Sequence, residues 1–184
     1  MPAKRHILWP LTVGVSMFAL LNHTQEPTPI RMQPLTPAIL DAEYTAERKQ
    51  IQYARAERTA ARVLRIGGCT DEHASIIARS AVDQGLDVRI LSALIVTESS
   101  CRAEVVSSKG AVGLMQVKPD VWDLDAEDLK DPEFNINAGT QILKHYTRSY
   151  GRVGGLRHYN GTGVGCDTCD SVYPDKILAL AGVK

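Results

Sequence analysis

Two neighbouring segments in which apolar residues recur at helical spacing constrain the fold of this chain more than any other feature. The first segment follows an i, i+3, i+4, i+7, i+8 pattern through Ala74, Ile77, Ala78, Ala81 and Val82. Thr70 or Asp71 can cap the start of this helix, and Gly85 can end it. Asp87 can then cap a second helix that runs to about Ser100. Because only a few residues separate the two helices, we expect an antiparallel helical hairpin.

The remainder of the chain predicts further helices joined by loops. Residues 38–66 contain no Gly or Pro and favour one long helix, residues 135–146 favour another, and residues 173–182 favour a terminal one. The Gly-rich stretches 107–119 and 151–165 are typical of loops, the first with a short β-ribbon as an alternative. The sequence therefore predicts a mainly α, helix-dominated domain.

The charge balance bears on the class of partner. Lys and Arg total 21, and Asp and Glu also total 21, so the formal net charge is zero. Proteins that bind the phosphate backbone usually carry a basic excess, so we expect no nucleic-acid partner. The chain is 44% hydrophobic and 23% charged, which excludes a chain that is disordered throughout.

The amino terminus has the layout of an export signal. Lys4, Arg5 and His6 precede a mostly apolar stretch over residues 7–21. No clear small-residue cleavage site follows, so residues 1–21 are interpreted as either a signal peptide or an uncleaved signal anchor in the inner membrane. Both alternatives place the rest of the chain in the periplasm or cell envelope, with membrane contact only through residues 7–21.

The remaining sequence divides into three parts. Residues 22–37 are rich in Pro and predict an extended tether. Residues 38–68 form the long helix or linker, whose sparse apolar residues favour loose packing against the domain over a coiled-coil stalk. Residues 69–184 form the single predicted domain.

Glu98 lies on the apolar face of the second hairpin helix. Leu91, Leu94, Ile95 and Glu98 occupy positions i, i+3, i+4 and i+7. Burial would raise the pKa of this carboxyl and make it a usable general acid near neutral pH. Alternatively, Glu98 reaches solvent because it is close to the end of the helix. The spacing alone favours the two interpretations equally.

Four motifs in order add a family resemblance. Residues 90–119 read ILSALIVTESSCRAEVVSSKGAVGLMQVKP, with Glu98-Ser99, Ser107 and the GAVGLMQ run at 110–116. Residues 131–139 then contain DP, NI and G elements, and 159–161 read YNG. Over roughly residues 72–181 this pattern resembles the soluble lytic transglycosylase family. The resemblance implies a lysozyme-like fold, of the helix-dominated α+β type.

The resemblance also implies a reaction. Enzymes of this family cleave the β-1,4 bond between N-acetylmuramic acid and N-acetylglucosamine in peptidoglycan and form 1,6-anhydro-N-acetylmuramic acid. Glu98 would act as acid and then as base. Ordinary glycosidases use two carboxylates, but the other acids nearby, Glu104, Asp120, Asp123 and Asp125, are expected to be solvated surface groups. No cofactor or metal is expected.

By the same resemblance, five further residues would bind the glycan or support the acid: Ser107, Met115, Gln116, Tyr159 and Asn160. Ser107 has an alternative as a turn residue that satisfies its own backbone, and Met115 has core packing as an equal alternative. Tyr159 is expected to orient Glu98 through its hydroxyl. Asn160 would fix its loop or bind sugar.

The sequence departs from the family pattern in two places, and a third position is expected to have a structural role. His158 stands where the family usually has Ala, and the segment 166–169 is inserted before the last helix. Asn135 is expected to cap its helix rather than to contact substrate.

The four cysteines allow disulfides or a zinc site. Because the amino terminus predicts export, we favour disulfides. Cys69 precedes the first hairpin helix and Cys101 follows the second, so the two ends are expected to be neighbours and to pair. Cys166 and Cys169 would then pair by elimination, and a Cys₄ zinc site is the alternative.

The sequence thus predicts a lytic transglycosylase that acts on peptidoglycan glycan strands. The alternatives are a hydrolytic muramidase, like goose-type lysozyme, and a wall-binding module that does not cleave. Family context predicts service to a secretion, conjugation, pilus or phage-entry apparatus.

Overall fold

The computed structural model describes residues 36–162 and 172–183 of the chain. The predictions for the export signal, for most of the tether and for the Cys166–Cys169 pair lie outside these residues. The described part contains α1 (Pro37–Ile66), α2 (Ala74–Gln84), α3 (Val88–Ser99), α4 (Pro119–Trp122), a 3₁₀ turn (Asp128–Lys130), α5 (Pro132–Tyr159) and α6 (Val172–Ala181). The helix-dominated fold is therefore confirmed.

The α2–α3 hairpin is present as the periodicity predicts. Gly85 ends α2 in the left-handed conformation, with φ of 66°, which glycine adopts without steric cost. The carboxylate of Asp87 accepts a hydrogen bond from the Arg89 backbone N–H at 2.9 Å and so caps α3. Both turn residues that the sequence identified therefore perform the expected role.

The start of α2 differs from the prediction. His73 occupies the N-cap position, and no side chain caps the helix there. Asp71 instead pairs with Arg65 at 3.3 Å. The expected cap by Thr70 or Asp71 is therefore wrong, because the helix begins later than the prediction assumed.

Helix α3 lies at the centre of the domain. It contacts α1, α2 and α6, and its buried apolar residues are Ile90, Leu91, Ala93, Leu94 and Ile95. A helix that is apolar around most of its circumference is typical of a buried position. Its last turn, which carries Glu98, lies where this core meets the surface.

Helix α1 has two different halves. Its second half contributes Ala60, Val63 and Leu64 to the same core as α3. In its first half the described side chains are mostly exposed, although Lys49 forms an ion pair with Asp83 of α2 at 2.9 Å. The helix therefore packs against the domain, but its second half belongs to the core, so the predicted loose packing is wrong for that half.

Helix α5 extends further than the sequence predicts. The Gly-rich stretch after residue 150 is helical to Tyr159, after an interruption at Gly151, where φ is 70° and ψ is −176°. Beyond this kink, Gly155 lies so close to Thr147 that an added Cβ would be 2.6 Å from its Cγ2. The predicted loop is wrong over residues 152–159, because close packing outweighs the helix penalty of glycine, about 1 kcal/mol for each residue.

The stretch before α4 forms a tight turn rather than a regular strand. Val112 forms isolated bridges with Val106 and with Val117, so the predicted loop with a short ribbon is an adequate description.

None of the described helices combines the length and the apolar character that a membrane span requires.

Candidate active site

Glu98 occupies the last turn of α3, and the chain after it is tightly constrained. Ser100 and Cys101 both adopt positive φ values, 51° and 62°, so the backbone turns sharply away from the helix. Cys101 is bonded to Cys69, with the Cα atoms 6.0 Å apart. The predicted pairing of these cysteines is confirmed, and it fixes the end of the helix that carries the acid.

The environment of Glu98 favours its protonated form. The side chain is partly buried, and this burial raises the pKa of its carboxyl. A hydrogen bond from the hydroxyl of Tyr173 and the positive charge of Lys176 act in the opposite direction, but burial prevails. The carboxyl is therefore suited to donate a proton at a higher pH than an exposed Glu.

Tyr173, at the start of α6, is the residue that sequence reasoning missed. Its hydroxyl donates directly to Oε1 of Glu98, and burial raises the pKa of Tyr173, with the charge of Glu98 adding to the effect. The phenol thus stays protonated and remains a donor. The only sequence signal was a tyrosine at the start of the terminal helix.

Tyr159 does not hold Glu98 directly. Its hydroxyl donates to the backbone carbonyl of Met115 at 2.8 Å. A phenol has one proton to donate, so Tyr159 cannot donate to Glu98 at the same time. Any orientation of Glu98 by Tyr159 is therefore not a direct hydrogen bond in this structure. Tyr159 nevertheless lies near enough for the charge of Glu98 to help raise the pKa of Tyr159, after the larger effect of burial.

The GAVGLMQ turn is anchored by Asn135. This buried side chain accepts from the Met115 N–H at 2.8 Å and donates to the carbonyls of Val112 and Leu129 at 2.9 and 2.8 Å. Asp131, not Asn135, caps α5, so the predicted cap is wrong. A side chain on Gly113 would overlap the Asn135 amide, 2.2 Å from its Nδ2, which explains a glycine at this point.

Ser107 and Gln116 lie on this turn, and both are partly buried. The Ser107 hydroxyl oxygen accepts from the Ala111 N–H at 3.0 Å, which supports its structural alternative while leaving its own proton to donate. The amide nitrogen of Gln116 donates to the carbonyls of Val105 and Gly113 at 3.2 and 3.0 Å. The role of Gln116 in the structure is thus to brace the turn, with its amide oxygen left for other groups.

Met115 and Asn160 have different environments. The Met115 side chain is fully buried, and it packs on Gly139 so closely that a Cβ there would lie 2.6 Å from its Sδ. Of the two alternatives for Met115, the structure therefore shows core packing rather than a cleft contact. Asn160 is exposed at the end of α5, a position open to a ligand.

Among the described residues, no three His, Cys, Asp or Glu side chains are grouped so that they could hold a metal ion.

Comparison with known proteins shows which proteins this chain is similar to and which family it belongs to. Curated relatives include an endo-type membrane-bound lytic murein transglycosylase A of Klebsiella pneumoniae, 38% identical over 71 residues, which cover 32% of this chain and 35% of the relative. The transglycosylase of Enterobacteria phage PRD1 is 32% identical over 55% of this chain and 40% of its own length. A membrane-bound lytic murein transglycosylase C of Yersinia pestis is 33% identical over 45% of this chain and 26% of its own length. The chain thus spans well under two thirds of these relatives.

One solved structure that is similar to this chain is that of an inactive mutant of the lytic transglycosylase Slt from Pseudomonas aeruginosa. It covers 60% of this chain and 20% of the Slt chain at 21% identity, with a TM-score of 0.47. The family model described as the Transglycosylase SLT domain matches residues 75–166. Because this match spans half of the chain and includes Glu98, Ser107 and the 110–116 run, the chain belongs to the transglycosylase SLT domain family.

Proposed function

We propose that this chain is a peptidoglycan lytic transglycosylase that cleaves the bond between N-acetylmuramic acid and N-acetylglucosamine. The observation that carries the proposal is the setting of Glu98: a carboxyl whose pKa is raised by burial, held by Tyr173, at the end of a central helix in an SLT domain. The substrate class agrees with the murein transglycosylases among the relatives.

In the first step, protonated Glu98 gives its proton to the glycosidic oxygen as the bond from that oxygen to C1 of the muramic acid breaks. N-acetylglucosamine leaves as an alcohol. Positive charge develops on C1, and the acetamido oxygen of the substrate relieves it. The hydrogen bond from Tyr173 keeps the ionised Glu98 oriented after it has lost the proton.

In the second step, ionised Glu98 takes the proton of the C6 hydroxyl of the muramic acid. The C6 oxygen attacks C1 and closes the 1,6-anhydro ring, and Glu98 is protonated as it was at the start. The step consumes no water, and one carboxyl serves both as acid and as base.

The environment of the other acids supports a mechanism with one carboxylate. Glu104, Asp120, Asp123 and Asp125 are all exposed. Among the described groups, the charge that acts on the pKa of Glu98 is that of Lys176 rather than that of a second carboxylate. A retaining pair, whose carboxyl groups lie about 5 Å apart, would perturb both pKa values.

We also propose that the protein works in the cell envelope. The disulfide between Cys69 and Cys101 fits an oxidising compartment, and two of the relatives are named as membrane-bound. Attachment through residues 7–21 stays a prediction. Service to a secretion, conjugation, pilus or phage-entry apparatus also stays a prediction, and the phage relative is compatible with the last of these.

The test is a digestion of purified peptidoglycan by the full chain, with products identified by mass spectrometry. We expect fragments that end in 1,6-anhydromuramic acid, and we expect Glu98→Gln to lower their rate of formation by about 10³-fold or more. Glu104→Gln, which changes an exposed carboxylate, is the matched control and should keep full activity.

Other products would favour the alternatives. Fragments one water heavier, with free reducing ends, would indicate a hydrolytic muramidase. Glycan that is bound by the native chain but never cleaved would indicate a wall-binding module.

A further inference from the structure

The outward side of α1 carries a row of arginines interspersed with apolar residues. Positions separated by three or four residues lie on one side of a helix, and a set spaced in this way between residues 44 and 66 is exposed throughout. The opposite side of the helix places Ala60 and Leu64 in the core, so this row faces away from the domain. We call it the arginine stripe, and it consists of Tyr44, Arg48, Ile51, Arg55, Arg58, Arg62 and Ile66.

The charge of the arginine stripe is entirely positive and is not neutralised. All its ionisable groups other than the Tyr44 phenol are arginines, and it contains no acid. None of these arginines belongs to an ion pair among the described residues, whereas the neighbouring Arg65 is paired with Asp71. In a chain whose formal net charge is zero, this local excess of positive charge favours an anionic partner.

The apolar members of the arginine stripe narrow the kind of anionic partner. Tyr44, Ile51 and Ile66 have 61%, 46% and 62% of their surfaces exposed. A nucleic acid or another polymer of phosphates would pair with the arginines but offer these apolar groups little to be buried in. A phospholipid surface offers both, with anionic phosphates outside and an apolar region beneath. Long arginine side chains can keep their guanidinium groups at the phosphates while their stems enter the interface.

The length of the arginine stripe also fits a lipid surface. From residue 44 to residue 66 it follows one continuous helix for about 33 Å, which suits an extended surface better than a pocket. A second copy of the chain is a poor partner, because the arginines of the two stripes would face and repel each other.

We propose that the arginine stripe docks α1 on a membrane surface that contains anionic phospholipids. The guanidinium groups bind the lipid phosphates, and the apolar members enter the interface. Only residues 22–36 separate the predicted membrane segment from α1, and an extended chain of that length reaches about 50 Å. Attachment through residues 7–21 would therefore keep the stripe within reach of the bilayer. The proposal extends membrane contact beyond residues 7–21, to which the sequence analysis confined it.

The test places the methyl-labelled full chain with lipid nanodiscs that contain phosphatidylcholine with a nitroxide on its headgroup, which broadens the NMR signals of nearby methyl groups. We expect the methyl signals of Ile51 and Ile66 to broaden with discs of phosphatidylglycerol and phosphatidylcholine in equal parts, and far less with discs of phosphatidylcholine alone. Added salt should reverse the broadening. Ile136, which is buried on α5, is the reference signal. The measurement is local, so it does not depend on whether residues 7–21 also insert.

Two double variants separate the stripe from the overall charge. Arg55→Gln with Arg62→Gln keeps good helix formers and should lower the ratio of docked to undocked protein by about tenfold or more. Arg148→Gln with Arg152→Gln changes two exposed arginines on α5 and alters the net charge equally, but it should leave the broadening unchanged. Because none of these four residues belongs to the candidate active site, both variants should cleave soluble peptidoglycan fragments at the native rate.

The outcomes do not depend on the proposed function. Equal broadening of Ile51 and Ile66 in both kinds of disc, or none in either, would refute docking on anionic lipid, whatever the digestion shows. An equal loss of docking in the two double variants would show that net charge rather than the stripe is responsible, and would also refute it. If a short DNA duplex shifts these signals and the anionic discs do not, the stripe is a nucleic-acid surface and the proposal is overturned.

Discussion

The end of α3 and the second half of α5 both place a residue beside the candidate active site, but they are held in different ways. The end of α3 is fixed by an apolar helix in the core and by the disulfide of Cys101. The second half of α5 returns over its own first half through a kink at Gly151 and the close contact of Gly155 with Thr147. Packed side chains and a disulfide determine the position of the end of α3. The position of the second half of α5 instead depends on the absence of side chains at its glycines.

This difference affects what a sequence can reveal. An apolar stripe at helical spacing predicts burial directly, because every residue on it lies on the helix face that packs against the core. A glycine reports only that a side chain is missing. Whether it serves a turn or a close helix contact depends on a partner elsewhere in the chain.

The largest effect on this comparison should come from removing the disulfide. A cross-link between residues 32 positions apart stabilises a fold by about 3–4 kcal/mol in the loop-entropy description. We expect Cys69→Ser with Cys101→Ser to lower the free energy of unfolding by that amount, measured by urea denaturation under oxidising conditions.

The control for this double variant is Cys166→Ser with Cys169→Ser. Their predicted bond closes a very short loop, so its removal should cost much less. Equal losses of unfolding free energy in the two double variants would show that the Cys69–Cys101 cross-link contributes no more to the stability of the fold than a short local loop does.

A single methyl group added to the second half of α5 should destabilise the fold. In Gly155→Ala, the new Cβ would lie 2.7 Å from the Cα of Thr147, and backbone atoms cannot move aside as the end of a side chain can. We expect a loss of about 1–3 kcal/mol from overpacking, measured by thermal unfolding. Ser149→Ala, at an exposed site before the kink, should be neutral. A more stable Gly155→Ala would mean that helix propensity, not the contact, governs this segment.

The same contrast explains how much of the fold the sequence could predict. The hairpin of α2 and α3, with Gly85 and Asp87 at their expected positions, follows from local periodicity and capping. The Cys69–Cys101 bond follows from the hairpin geometry. The continuation of α5 beyond Gly151 could not be predicted, since the packing that stabilises it joins residues on both sides of the kink.

The candidate site shows the same limit. The position of Glu98 on an apolar stripe was visible in the sequence, but its direct partner Tyr173 was not. No spacing rule relates two residues 75 positions apart. Met115 was ambiguous for another reason, because a Met beside a motif packs equally well in a core or in a cleft. Only its contact with Gly139 decides for the core.

Tyr173 and Tyr159 offer a sharper comparison, because both are partly buried tyrosines near Glu98. The hydrogen bond from Tyr173 lowers the pKa of Glu98, so Tyr173→Phe should raise it further. Because Glu98 must be protonated to act as the acid, the alkaline limb of the pH profile of kcat/KM should move to higher pH. We also expect a loss of roughly tenfold in kcat, the usual worth of a hydrogen bond to a charged group.

Tyr159→Phe is the matched variant for this measurement. It loses the bond to the Met115 carbonyl and not a bond to Glu98, so its alkaline limb should stay in place even if its activity falls. If both variants move the limb equally, or neither does, Tyr173 does not act by positioning the acid.

The smallest effect should be on stability, at Glu98 itself. Its pKa is raised in the folded chain, so the folded state holds this proton more tightly than the unfolded state does. The stabilisation that comes from this tighter proton binding is fully present below the pKa that Glu98 has in the unfolded chain. It is lost as the pH rises through the pKa that Glu98 has in the folded chain. At a pH above the folded pKa of Glu98, the native chain bears the cost of an ionised, partly buried carboxylate. Glu98→Gln removes that cost and still accepts from Tyr173, so its Tm should exceed the native Tm at pH 7.5 and the two should converge near pH 4. A Tm difference that stays constant between these pH values would show that the raised pKa does not contribute to stability.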